Sequence, residues 1–410
     1  MSNDNLKKKL GRFEQQITPK KQTAPPEKKI KQLPERYHKL AEFVGGELCQ
    51  NPAGTYVLIK TVYPFDYAHG RISFDSARFE SIPLPAFYVK NLSGNIDEAG
   101  LLFIDTETTG LGGSGAVPFL VGCASITAKG FEVRQYLMPD YHDEAGMLEE
   151  LMAEFSGSRS LISYNGASFD LPLLLDRVII NRTAREIPYQ HHIDLLHGVR
   201  RIFKRRLKDC RLSNIEEKLF ELKRIDDLPG YLVPSVYFEW LNEDALDLME
   251  GVLEHNRIDI VSLYFLVSLL ASVYQSEGEN LEWIDDLHGL ARFFNRQKQT
   301  DTVGAIYNKM ETLATEQLSP DMVLFHAGNF KRTGQLEKAI ELYQTIAHTD
   351  QKESYRANLE LAKYFEHHQK DAQSALEYTQ KAQNICPYGP TEQAQVAHRL
   401  ERLKKKLKSA

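Results

Sequence analysis

Leu101-Leu102-Phe103-Ile104-Asp105-Thr106-Glu107-Thr108-Thr109-Gly110 is the stretch on which the fold turns. Four consecutive apolar side chains read as a strand buried on both faces, and the run stops at a carboxylate. Residues i and i+2 of a strand share a face, so Asp105 and Glu107 can reach the same cation or cation cluster. Hard divalent ions such as Mg²⁺ take oxygen ligands and keep several waters, which makes two or three carboxylates a suitable site. Taken alone, a D-x-E after an apolar run is a weak signal.

Working outward, β-prone runs at 119–126 and 131–137 predict two more strands directly after the first. A helical spacing then places Met147, Leu148, Leu151, Met152 and Phe155 on one face. Leu161-Ile162-Ser163-Tyr164 reads as a further strand feeding a helix over 169–181. After Ile193-Asp194-Leu195 the pattern is mostly helical to Leu253, and Ile260, Leu263, Tyr264 and Val267 carry another helix past His255. Three strands, helix, strand, helix is an α/β order.

Two further motifs carry acids. In Asn165-Gly166-Ala167-Ser168-Phe169-Asp170 a strand ends, a turn follows and an acid opens a helix, where its plainest role is an N-cap. In His255-Asn256-Arg257-Ile258-Asp259 the His and the Asp stand one helical turn apart on one face, as a water-activating base beside a metal-binding aspartate would. The order D-x-E, N-x-x-x-F-D, then His shortly before a last Asp resembles the DEDD-type 3′–5′ exonucleases of the ribonuclease H-like superfamily, over about residues 99–274. Phe119-Leu120-Val121-Gly122, Tyr164-Asn165-Gly166, Asp194-Leu195-Leu196-His197 and His255-Asn256 make it similar to the YprB-like branch of that superfamily. One departure stands out: His-type members place the His five positions before the last Asp, and here it is four, the spacing of Tyr-type members.

The resemblance implies an α/β domain with a mixed central sheet flanked by helices, and hydrolysis of phosphodiester bonds with two Mg²⁺ or Mn²⁺ ions. By carry-over Asp105 would bridge both ions, Glu107 and Asp259 would complete the nucleophile-side site, and Asp170 would hold the leaving-group ion. His255 would take the proton of the attacking water. The same scaffold supports internal cutting, so an endonuclease stays open. So does an adaptor whose nuclease-like domain only binds. DNA and RNA are equally open, because the choice depends on how the sugar 2′-position is read.

Weaker substrate contacts are expected at Thr108, Gly110 and Asn165 beside the acids. Gly110 opens the run Gly110-Leu111-Gly112-Gly113-Ser114-Gly115, which lacks the phosphate-loop pattern of nucleotide hydrolases. Arg200, Arg201, Lys204, Arg205, Arg206, Lys208 and Arg211 form the densest basic cluster of the central region, and Arg200, Arg201 and Arg205 are the phosphate-contact candidates. Asp194 reads as a helix cap. His191, His192 and His197 lack a Cys partner or an H-E-x-x-H pattern and are read as no metal site.

The 410 residues suffice for two or three domains. Residues 1–36 are polar and Lys-rich and are expected to form a disordered basic arm. Residues 37–98 suggest a small β-containing extension, from Thr55-Tyr56-Val57-Leu58-Ile59 and Ala86-Phe87-Tyr88-Val89, before the main domain at 99–275. Over 280–410 an Ala and a Tyr recur in helical stretches, at Ala305 and Tyr307, Ala339 and Tyr343, Ala375 and Tyr378. The Ala-to-Ala intervals of 34 and 36 residues suit stacked helical repeats of the tetratricopeptide type, a surface for a protein partner. A net charge of −6 excludes a generally basic nucleic-acid binder, so a polyanion must be met by local patches. Cys49, Cys123, Cys210 and Cys386 are widely spaced, which argues against a disulfide framework and for a reducing cytoplasm. No uncharged apolar run reaches the ~18 residues that span a bilayer, so no membrane insertion is expected.

Overall fold

The computed structural model describes residues 33–88, 93–110, 115–156, 160–225, 227–314, 318–349, 352–385 and 389–408. The expected basic arm lies, up to residue 32, outside the described residues. The chain enters through helix α1 (Glu35–Phe43) and builds one seven-stranded sheet from β1 (Glu47–Asn51), β2 (Gly54–Tyr63), β3 (Leu101–Thr108), β4 (Pro118–Thr127), β5 (Gly130–Leu137), β6 (Ser160–Ser163) and β7 (His191–Asp194). In space the order is β1-β2-β5-β4-β3-β6-β7. The first five strands of that order pair antiparallel, and β3, β6 and β7 run parallel, so the sheet is mixed.

Alternation along β3 sets the layers. Leu101 and Phe103 pack in one core with Ile260 and Tyr264 of the long helix α6 (Met249–Gln275). Leu102 and Ile104 pack in the other with Met147, Leu148 and Leu151 of α2 (Glu144–Ser156) and with Tyr237 and Trp240 of α5 (Val233–Glu243). Continuing the alternation by two and four residues from Phe103 carries Asp105 and Glu107 to the face that α6 covers. The ladder between β3 and β4 shifts register between Glu107 and Thr108, an irregularity that ends regular pairing right after the second acid.

Segment 37–98, read from sequence as an extension, supplies β1 and β2 to this same sheet, with Val57 opposite Leu137. Its pairing partner lies far along the chain, which local patterning does not reveal. Of the β-prone run 86–89, Ala86 ends a 3₁₀ turn (Leu84–Ala86) and Phe87 and Tyr88 follow it outside any strand, while Val89 lies outside the described residues. Helices α3 (Asp170–Ile180) and α4 (Leu195–Ile202) follow β6 and β7. Helix α6 is long and apolar enough to cross a bilayer by composition, but its apolar sides are taken up by the sheet and its flanking helices.

Gly122 shows how closely α6 sits on the sheet. It lies opposite Asp105, and a Cβ there would come within 2.1 Å of Ile260 Cδ1 and 2.4 Å of Asn256 Oδ1. Gly122→Ala is expected to destabilise the fold by about 1–3 kcal/mol through overpacking. Denaturant titration measures it, and an unchanged midpoint would show that α6 can retreat.

Beyond α6 the described chain is all helical: α7 (Ile284–Arg296), α8 (Thr300–Leu313), α9 (Pro320–Arg332), α10 (Leu336–Ile346), α11 (Lys352–His367), α12 (Ala372–Ile385) and α13 (Pro390–Lys408). Consecutive helices pack as hairpins, and Ala339 and Ala375 are wholly buried at their crossings. The first hairpin shares the core of the α/β region through Leu287, Leu290, Phe293 and Tyr307, whereas the later helices have cores of their own.

Candidate functional site

Three separate elements bring four carboxylates together. Asp105 and Glu107 come from β3, Asp170 opens α3, and Asp259 projects from the second turn after Val252 on α6. Asp170 is the first residue of α3 and not its cap, since Phe169 holds the cap position; its Oδ1 accepts a hydrogen bond from the Thr106 hydroxyl between the two β3 acids. Asn256 Nδ2 donates to Asp105 Oδ2 at 2.8 Å, and Gln135 Nε2 holds Asn256 Oδ1 at 2.9 Å while also reaching the Leu253 carbonyl at 2.8 Å. Sheet and helix therefore fix the Asp105 carboxylate jointly.

The acids act on one another. Withdrawal from water raises Asp105 well above the usual carboxylate range, and the charges of Asp259, Glu107 and Asp170 raise it further against the Asn256 hydrogen bond. Glu107 is raised well above its ordinary value by burial and then by Asp259, Asp170 and Asp227. Asp170 is pushed up to about 6, mainly by burial, with the Thr106 hydrogen bond opposing. Such a cluster is costly by itself and favours a cation.

Among the described residues no three acids or histidines already close on a single point as the ligands of one ion do. Asp259 is turned onto Arg224, and one Asp170 oxygen is taken by Thr106. The donor set remains one of carboxylate oxygens without thiolates, which suits a hard divalent ion that keeps waters.

His255 stands one turn before Asp259, and its Nδ1 lies 2.9 Å from Asp227 Oδ1. A carboxylate at Nδ1 orients the ring and leaves Nε2 for another partner. Sequence reading missed Asp227, and it missed Arg224, which is held bidentately by the fully buried Glu216 at 2.7 and 2.6 Å, reaches Asp227 at 3.2 Å and pairs with Asp259. Glu216 in turn accepts from Ser262 at 2.5 Å. Arg224 and Asp227 lie in an irregular stretch without periodicity, so only their charge was visible there.

Of the weaker candidates, Thr108 donates its hydroxyl to the Gly110 carbonyl at 2.7 Å, and residues 111–114 of the glycine run lie outside the described residues. Asn165 adopts φ 66°, a left-handed turn that Asn tolerates, and its N–H donates to Asp194 Oδ1 at 2.8 Å. Asp194 also accepts from Leu196 N–H at 3.1 Å, so it caps α4 as expected. His192 pairs with the Ser163 hydroxyl at 2.8 Å. Arg205, grouped with the phosphate contacts, is instead engaged by Asp285 at 2.6 Å and by Asp321 at 2.5 and 3.2 Å, which ties the α/β region to the helical one. Arg200 and Arg201 line cavities beside α4.

A model of the RNase_H superfamily matches residues 102–271, the span from β3 through most of α6. The family B DNA polymerase from the hyperthermophilic archaeon Pyrobaculum calidifontis superposes with a TM-score of 0.34 at 12% identity, over 74% of this chain and 36% of that one, a likeness too slight to bear on either fold or chemistry. The uncharacterized protein YprB of Bacillus subtilis (strain 168) is 32% identical over 365 residues, which cover 86% of this chain and 87% of YprB. With two acids on a mixed sheet, two on the helices that flank it and an all-helical region behind, the chain belongs to the YprB family, and its residues 102–271 form an RNase H superfamily domain of nuclease-like fold.

Proposed function

We propose that the protein is a metal-dependent 3′–5′ exonuclease that shortens single-stranded nucleic acid. The observation that carries this reading is the convergence of Asp105, Glu107, Asp170 and Asp259 from β3, α3 and α6, with burial and neighbouring carboxylates holding each of the first three away from easy ionisation. These four would hold Mg²⁺ or Mn²⁺, as RNase H-like nucleases generally do. Two such ions, when bound, would polarise the attacking water and neutralise charge on the scissile phosphate. Asn256 and Thr106 position Asp105 and Asp170 for that purpose, and His255, steadied by Asp227, accepts the water's proton at Nε2.

Exposed aromatic side chains favour a single strand. Phe169, immediately before Asp170, is 54% exposed, and Tyr231 is 77% exposed next to Gly230, which faces His255. Unstacked bases gain about 1–3 kcal/mol each on such platforms. The tetratricopeptide-like reading of the helical hairpins gives them a role in docking a protein partner in the cytoplasm.

Incubation of pure protein with 5′-labelled single-stranded DNA and RNA tests the reading. A ladder shortening from the 3′ end with Mg²⁺ or Mn²⁺, and none with EDTA, is the expected result. Cutting of a covalently closed circle would make the enzyme an endonuclease, and no cleavage of any strand by folded protein would leave a binding module.

A further inference from the structure

A cavity of about 780 Å³ opens where α4 meets α7, the first helix of the helical region. Six cations line it: Arg200, Arg201, Lys204, Arg205, Arg292 and Arg296. Asp194 is the one carboxylate of that lining, and its oxygens already accept the N–H groups of Asn165, Ala167 and Leu196. Arg205 is consumed by Asp285 and Asp321. Among the described residues the other five cations pair with no carboxylate. Arg201 shows the consequence: its guanidinium lies 4.2 Å from the centre of the Phe293 ring, and burial together with Arg296 pulls its pKa down to about 10. Its N–H groups reach the Ala86 and Phe87 carbonyls at 3.5 and 3.4 Å, but among the described residues this half-buried charge, crowded by another cation, has no anionic partner, and an anion in the cavity would supply one.

On the other side of Arg200 and Lys204 lies a second cavity of about 460 Å³, lined also by Asn165, Lys208 and the ion pair of Arg211 with Asp209, which leaves Arg200, Lys204 and Lys208 as its cations without a carboxylate partner among the described residues. Arg200 and Lys204, one helical turn apart, thus form a ridge between two basic hollows. Both hollows touch the turn of residues 164–167, through Asn165 on one side and Ala167 on the other, and that turn leads directly to Asp170. Gly166 is packed against Ser163 and Asp170 there, with room for no side chain.

We propose that the two hollows are a phosphate track, in which successive backbone phosphates of the substrate strand sit on Arg200, Arg201, Lys204, Arg292 and Arg296 while its 3′ end lies at the acids. The proposal deepens the nuclease reading and rests on it. It assigns the first helical hairpin a substrate-binding role through Arg292 and Arg296, which the sequence suggests only for the basic cluster of residues 200–211. Gly289 makes that role geometrically possible: a Cβ at that position would come within 2.5 Å of the Ile202 carbonyl oxygen, so α7 lies directly against the end of α4.

The test is the binding of fluorescent oligo-dT and oligo-U to full-length Asp105→Asn protein with Mg²⁺, followed by anisotropy between about 50 and about 200 mM salt. Arg292→Gln/Arg296→Gln, both exposed positions, should weaken binding at least ~5-fold and flatten the salt slope by about 0.7 for each phosphate that the variant no longer neutralises. Lys204→Gln should act in the same direction, whereas Lys129→Gln, on the exposed turn between β4 and β5, should change neither quantity. Unchanged affinity and slope in both track variants overturns the proposal. So does tight binding of inorganic pyrophosphate that the double variant loses while oligonucleotide affinity stays constant, because the cavity would then serve a small free anion. Failure of the nuclease reading is seen separately: wild-type protein that cuts no strand, with track variants that still lose binding, sinks the catalysis and keeps the track.

Discussion

Asp105→Asn is expected to stop strand shortening and at the same time to make the metal-free protein harder to unfold. The loss should be at least the ~10²–10³-fold that follows removal of one preorganised electrostatic contact at a reacting centre. Asp105 is the acid that both β3 and α6 hold, and Asn at this position can still offer an oxygen to Asn256 Nδ2. The change therefore removes charge more than shape. The gain in stability has the same origin: in EDTA near pH 8 the wild-type chain must keep Asp105, Glu107, Asp170 and Asp259 together, and the first three resist ionisation.

The sign follows from linkage. A carboxyl whose folded-state pKa is raised binds its proton more tightly folded than unfolded. Its contribution to stability is fully present below the unfolded pKa and is lost as pH rises through the folded one, near 6 for Asp170 and well above the ordinary carboxylate value for Asp105 and Glu107. In EDTA the wild type should accordingly melt higher at pH 5.5 than at pH 8, and Asp105→Asn should narrow that difference. Mg²⁺ or Mn²⁺ should restore the wild-type midpoint at pH 8 and do less for the variant. Melting curves in EDTA that are identical for the two chains at pH 8 would show that the acids do not repel one another as their placement implies.

How much of this could be read from the chain depends on how local each signal is. The apolar run 101–104 and the i, i+2 acids are a period-2 pattern within eight residues, and the structure puts them where that pattern says. The α/β order was legible for the same reason, and so was Asp194 as a cap. The place of β2 was not, because its partner β5 lies some 75 residues away and burial of Val57 is decided by that pairing. The ion pairs of Arg205 were not legible either, since a basic run looks the same whether its charges face solvent or Asp285 and Asp321 on two other helices. Asn256 shows in the sequence only as the residue after His255; its bridging of Gln135 and Asp105 needs the sheet and α6 in contact, which no one-dimensional pattern supplies.

Arg224 is the clearest such omission, and its removal should have the largest effect on stability of any single change near the site. Its side chain is 8% exposed, and it neutralises Glu216, which is fully buried, and Asp259. Burial raises the Glu216 pKa while Arg224 and Ser262 hold it down. Arg224→Met strands Glu216 without its cation in a site closed to water, a loss of about 3–5 kcal/mol. Because the cost is that of a buried anion, it should be greatest near pH 8 and shrink as pH falls and Glu216 takes up a proton, the direction set by a raised folded-state pKa. Adding Glu216→Gln to Arg224→Met removes the stranded charge and should recover much of the loss, with Ser262 still able to donate to the amide oxygen. Urea titrations of the wild type, the single variant and the double variant at pH 8 and pH 5.5 measure all three quantities. If the single variant is as stable as the wild type at pH 8, or the double variant no better than the single, Arg224 is a surface charge in effect and its pairing with Asp259 has no structural weight.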